Sequence, residues 1–158
     1  MDEAERRALA HLAASGRTAA LGTLLRGGPY VSLVLYTPAP GLTEYLLHLS
    51  RLAVHTRNLQ ADARASLLLA ETDSGQGDPQ TLARLSLQGT AAALPKGASD
   101  YAAAQARYLA KYPESAPIFT LGDFDLYRFV ATEGRFVSSF GRIFDLTPDD
   151  LRRAGVVS

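Results

Sequence analysis

The segment LSRLAVHTRNL, residues 49–59, gathers two guanidinium groups, an imidazole and two hydroxyls where an extended run gives way to a helical one. Those groups suit an anion. The first amides of a helix have no partner inside it, the helix dipole adds positive potential there, and Ser50 stands where an N-cap is expected. Two readings of Ser50 fit together, a cap on the helix and a ligand for phosphate or carboxylate. His55 alone reads as a surface or packed imidazole, and only its place between Ser50 and Arg57 draws it into this group.

Other chemistries find little support. The chain has no Cys, which removes disulfides, thiolate nucleophiles and thiolate metal sites. His11, His48 and His55 form no i, i+4 pair and have no carboxylate at ligand spacing, so no protein-built metal site is expected. Neither a Ser-His-Asp order nor a close carboxylate pair favours hydrolysis. There is no G-x-G-x-x-G and no P-loop, which argues against those two modes of phosphate binding. Sixteen basic residues balance sixteen acidic ones, so nothing steers the whole molecule toward nucleic acid or an anionic membrane. The charged first 17 residues lack the apolar run of a signal peptide, and no later run is long enough to span a bilayer, so the expectation is a cytoplasmic protein.

The elements that must position these groups follow from local pattern. With 158 residues and 47% hydrophobic content, one compact domain over residues 1–158 is expected. Residues 2–14 favour helix, and Ser15-Gly16 stops it. Residues 18–25 and 30–37 read as strands around an Arg26-Gly27-Gly28-Pro29 hairpin turn. In the second, Val31, Leu33 and Leu35 share one face, and Ser32 is a polar point on the other. Residues 43–49 form a third strand leading into the helix that ends near Ala61, and 64–71 reads as a compact apolar strand. Residues 72–80 are a polar, Gly-rich loop of unassigned role. In 81–94, Arg84, Ser86, Gln88 and Thr90 alternate with Ala83, Leu85, Leu87, Gly89 and Ala91, which by itself signals a solvated side and a core side. Ser99 is placed as the cap of a helix through Tyr112, whose tyrosines at 101, 108 and 112 read as packing, with a stacking or dimer role as the minority reading. Residues 123–131 and 135–140 read as a strand pair around Thr132-Glu133-Gly134, and Thr147 starts a last short helix. Short strands with interspersed helices predict an antiparallel, barrel-like α+β fold.

Read in order, RTAALGTL (17–24), GGPYVSLVLYT (27–37), LHLSRLAVHTRNL (47–59), DARASLLL (62–69) and ARLSLQGTA (83–91) resemble the FMN-binding split-barrel proteins, relatives of pyridoxamine 5′-phosphate oxidase. RYLAKYP (107–113), DFDLYRF (123–129) and FVSSFGRIFDL (136–146) are similar, more narrowly, to the haem-utilisation branch. The resemblance implies an antiparallel split β-barrel and a homodimer with FMN at the subunit interface. By position, Ser32, Leu33, Val34 and Thr37 would flank the flavin ring and ribityl chain. Leu49 and Ser50 would lie near the phosphate, His55, Thr56, Arg57 and Asn58 would form the phosphate turn, and Arg84 would be a polar cofactor contact. Val54 and His55 stand where the oxidases place an Arg-Lys pair, so the grip would be shared with Arg57, Ser50 and Arg84. The chain has no Trp, whereas the oxidases end in a substrate-holding segment with one, so pyridoxamine phosphate oxidation is not implied. What is implied is an FMN-dependent oxidoreductase passing electrons between a donor such as a nicotinamide nucleotide and a small or planar substrate, with the deazaflavin F420 or haem as alternative ligands. The alternative function is a non-catalytic haem- or ligand-binding protein using the same dimer crevice.

Overall fold

The computed structural model describes residues 1–139 and 141–156. Eight strands form one antiparallel sheet in the order β2-β1-β5-β6-β7-β4-β3, with β8 added on β7. They are β1 (Thr18–Leu25), β2 (Gly28–Leu35), β3 (Thr37–Pro38), β4 (Glu44–Ser50), β5 (Arg64–Ala70), β6 (Arg84–Ala93), β7 (Phe124–Val137) and β8 (Ile143–Leu146). Four helices accompany them: α1 (Glu3–Ser15), α2 (Val54–Ala61), α3 (Tyr101–Lys111) and α4 (Pro148–Gly155). None of the described helices is long and apolar enough to cross a membrane.

Local chemistry accounts for most boundaries. Asp2 and Glu5 form a reciprocal capping box at the start of α1, and Thr147 and Asp150 do the same for α4. Arg26 and Gly27 both have positive φ, 52° and 80°, as a two-residue hairpin between right-twisted strands requires. Two expected caps are corrected. Ala53, not Ser50, precedes α2, and Asp100, not Ser99, precedes α3, neither with a side-chain cap bond. α3 ends at Lys111 with Tyr112 as its C-cap, and a 3-10 segment, Pro113–Thr120, follows it.

The expected hairpin at Thr132-Glu133-Gly134 is also corrected: β7 runs through it without a turn. Gln88 pairs with Glu133 and the next residue, Gly89, pairs with Ala131, so Thr132 is an extra residue bulged out of the ladder. Its hydroxyl donates to the Gln88 carbonyl at 3.2 Å. The bulge reverses the phase of alternation, with Tyr127, Phe129 and Ala131 in the core before it and Phe136 after it. Gly89 is needed opposite, since a Cβ there would lie 1.9 Å from the Val130 carbonyl oxygen. The true turn falls after Val137, and Phe140, the last residue of the expected strand 135–140, lies outside the described residues.

One run of chain serves both ends of the sheet. β2 and β3 are separated only by Tyr36, yet they are the first and last strands of the sheet order. At this switch the Tyr36 backbone lies outside either ladder's register. The Tyr112 hydroxyl accepts from the Tyr36 amide at 3.3 Å and donates to carbonyl oxygen, with those of Tyr36 and Arg17 at 2.6 and 2.7 Å. Both tyrosines are fully buried, so losing the hydroxyl strands backbone groups that water cannot reach. Tyr112→Phe, which preserves ring packing, is expected to lower unfolding free energy in urea by about 1–3 kcal/mol; an unchanged midpoint would show that this bridge contributes nothing.

Candidate functional site

Alternation along β4 sorts its side chains. Tyr45, Leu47 and Leu49 enter the barrel core, whereas Leu46 packs outward into a second cluster with Leu94, Ala104, Tyr108, Tyr112 and Leu126. His48 and Ser50 share that outward face. Across the seam β2 turns Val31, Leu33 and Leu35 outward, 67%, 74% and 36% exposed. β2 and β4 are not hydrogen-bonded to each other, and a cavity of about 260 Å³ lies between them. Leu33 and Leu35, His48 and Ser50, and Ala53 and His55 at the start of α2 line it. Tyr108 of α3, Ile118 of the 3-10 segment and Phe124 of β7 add aromatic and aliphatic surface.

Both imidazoles are neutral near pH 7. His48 stacks on Phe119 with ring centroids 3.8 Å apart and an 11° interplanar angle, and Tyr108 meets its edge at 5.6 Å. Burial drives its pKa down to about 4, Asp125 opposing and Lys96 reinforcing the shift. Burial also lowers the pKa of His55. Among the described residues no guanidinium or ammonium lines the cavity. Arg51 is held by Asp125 through bonds of 2.6 and 2.9 Å, and Arg57 is exposed on α2. Uncharged polar groups take their place: Ser50, Ser115 and Tyr108 on the walls, and the first amides of α2, which have no side-chain cap. The Ser50 hydroxyl accepts from the Leu52 amide at 3.2 Å and reaches Asp123 Oδ2 at 3.4 Å, so it shapes the turn before α2.

Of the residues expected to form one site, the fold brings Leu33, Val34, Leu49, Ser50 and His55 to the cavity wall. Ser32, Thr37, Thr56, Arg57 and Asn58 do not line it. Ser32 Oγ and Thr56 Oγ1 are buried without a hydrogen-bond partner. Asn58 is buried, and its amide donates to Thr23 Oγ1 at 3.0 Å, tying α2 to β1. Arg84 lies elsewhere in the chain. It pairs with Val137, at the far end of β7 from Phe124, and its guanidinium is held by the carbonyls of Gln80 and Leu82 at 3.2 and 3.1 Å. Sequence reasoning missed His48 as a site residue, although its i−2 relation to Ser50 on one strand was a usable signal. It had none for Ile118 or Phe119, which arrive from an irregular segment.

A half-open antiparallel barrel with helices, carrying its cavity at the open seam, is a split barrel. The chain matches the family model of pyridoxamine 5′-phosphate oxidase over residues 5–138, and it belongs to that family. It is 36% identical over 101 residues to the chloroplastic non-canonical heme oxygenase HOZ of Arabidopsis thaliana, a match covering 63% of this chain and 29% of that protein. Among solved structures, a heme binding protein from Mycobacterium smegmatis superposes with TM-score 0.83 at 28% identity, covering 97% of this chain and 61% of that one. The Vibrio cholerae heme storage protein HutZ shares the fold, with TM-score 0.70 at 21% identity over 78% of this chain and 87% of that one. These similarities agree with the haem-utilisation branch indicated by the sequence pieces. The chain therefore spans less than a third of the plant protein and about three-fifths of the mycobacterial one.

The half-buried, uncharged state of His48 makes the fold sensitive to acid. Its pKa is lowered in the folded state, so the unfolded chain takes up the proton first, and stability present above about pH 6.5 is lost as pH falls toward about 4. His48→Phe, which keeps a ring against Phe119, should flatten that part of a urea-denaturation pH profile relative to wild type. Parallel profiles would remove His48 as its source.

Proposed function

We propose that the protein is a homodimer that binds a planar, haem-type ligand in the seam between β2 and β4, the second chain closing the crevice. The observation that carries this reading is a cavity uniting two neutral imidazoles with apolar walls and no cation. An unprotonated imidazole is an iron ligand, and a planar macrocycle needs apolar surface on its faces. His48 is packed between rings, so His55 at the head of α2 is the imidazole assigned to the ligand. The iron-containing ring supplies the redox chemistry when bound, while the chain supplies His55, the walls from Leu33, Leu35 and Ile118, and exclusion of water. At about 260 Å³ the cavity is below the usual range of about 300–1,000 Å³ for small-molecule sites. It is continuous with the exposed Val31-Leu33-Leu35 face through Leu33 and Leu35, and a second copy covering that face would complete the site. The names of the similar haem proteins support the same ligand class.

A flavin is the second reading, and the uncapped amides of α2 beside Ser50 favour it. They suit a phosphate in kind, but a phosphate dianion is held best by charge-assisted bonds, and within one chain the cavity offers none. Arg84 would have to come from the partner subunit. Only under this reading does oxidoreduction of a small or planar substrate by a nicotinamide nucleotide follow.

Titration with hemin is expected to give a shifted Soret band, and His55→Ala should weaken binding about tenfold or more. Quenching of FMN fluorescence with an unaltered hemin spectrum would instead establish the flavin reading. Light scattering should show a dimer that Leu33→Arg converts to monomer; a monomeric wild type at tens of micromolar would refute the shared crevice.

A further inference from the structure

A second groove, of about 670 Å³, runs between α1, β3 and α3. Ala103, Ala106 and Ala110 lie on one face of α3 by their i, i+3, i+7 spacing, and with Ala14 and Pro38 they give the groove small apolar walls. Thr37 and Lys111 line it too, and each contributes a polar atom out of contact with water and without a hydrogen-bond partner: Thr37 Oγ1 and Lys111 Nζ. Thr37 is only 4% exposed.

The lysine is anomalous for this chain. Its cations are arginines at fourteen positions and lysines at two, Lys96 and Lys111, out of sixteen. Lys111 Nζ lies 4.1 Å from the centre of the Tyr36 ring and 5.7 Å from that of Tyr112. The ring faces attract its charge. They do not replace the oxygen acceptors that three N–H donors require when buried. The charged neighbours offer no remedy. Arg17, over the Tyr112 ring at 5.0 Å, is paired with Glu114, Arg107 is an exposed cation on the groove, and no carboxylate of the described residues lines it. The remaining titratable groups packed here are the Tyr36, Tyr108 and Tyr112 hydroxyls. Burial, reinforced by Arg17, brings the lysine pKa down to about 8.

We propose that this groove is a second ligand site, for a small monocarboxylate with an apolar body, whose carboxylate accepts from Lys111 Nζ and Thr37 Oγ1 once the lysine side chain swings off the Tyr36 ring and uncovers both. A carboxylate has four lone-pair directions and one negative charge, so it can satisfy both donors and neutralise the ammonium. The alanine walls leave room for the body. This assignment is independent of what the seam cavity binds, because no residue lines both sites.

The chain's two lysines make the test direct. With carbon-13 at lysine Cε, NMR gives one resonance for Lys111 and one for Lys96, and each is titrated with pH in sodium benzoate, in sodium acetate and in sodium chloride of equal ionic strength. Saturating benzoate should raise the Lys111 midpoint by about one pH unit, equivalent to about tenfold tighter binding to the charged amine. Lys96 should titrate identically in all three, acetate should bind more weakly than benzoate, and Thr37→Val should weaken benzoate binding. A Lys111 midpoint no higher in benzoate than in chloride, or an equal shift at Lys96, would overturn the site. Acetate binding as tightly as benzoate would overturn its apolar half.

Discussion

Everything in this fold depends on how a single stretch of chain serves both ends of one sheet. β2 belongs to the hairpin with β1 and β3 to the ladder with β4, and Tyr36 alone makes the change between them. A backbone that leaves one ladder for another must find substitutes for the bonds it gives up. The Tyr112 hydroxyl supplies them from the C-terminal boundary of α3. That contact also anchors α3 and the start of the 3-10 segment over the barrel wall. The same few atoms therefore help to hold Tyr108 beside the seam cavity and Lys111 over the Tyr36 ring.

The seam explains why the candidate site has its particular chemistry. Two strands that approach without pairing leave a gap whose lips are side chains, and the outward phase of each strand decides which. On β2 the outward residues are aliphatic, and on β4 they are Leu46, His48 and Ser50. Roofing by Phe119 and Tyr108 shields the His48 imidazole from water and disfavours its charged form. The result is a neutral, ring-rich slot beside an exposed aliphatic face, next to a helix start whose free amides add positive potential.

Much of this was legible in the sequence because it rests on local periodicity. The strands, the Arg26-Gly27 turn, the helix 54–61 and the core side of β6 are written in alternation and turn chemistry. Ser50 was misplaced as a cap by its spacing: a tight turn through residues 51–53 intervenes before the helix, and a hydroxyl suits either position. The grouping of Leu33, Ser50 and His55 came from resemblance to a family rather than from spacing. No local rule places β2 beside β4 at an unpaired seam. The distance of Arg84 from the seam within one chain was likewise invisible, because it follows from the length of β7. Phe119 and Ile118 lie in an irregular stretch with no period to read.

Thr132 has a meaning beyond the kink it puts in β7. Upstream of it the odd-numbered residues face the core, and downstream the even-numbered ones do. Alternation on a strand is a two-letter reading frame, and the bulged threonine is a frameshift built into the folded chain. A chain lacking that one residue would retain a continuous ladder while turning a segment inside out, aiming Arg135 at the interior and Phe136 at solvent. Length at this point of β7 is thus held by the core itself, and an insertion or deletion that most loops would absorb here rewrites which side of the sheet is which.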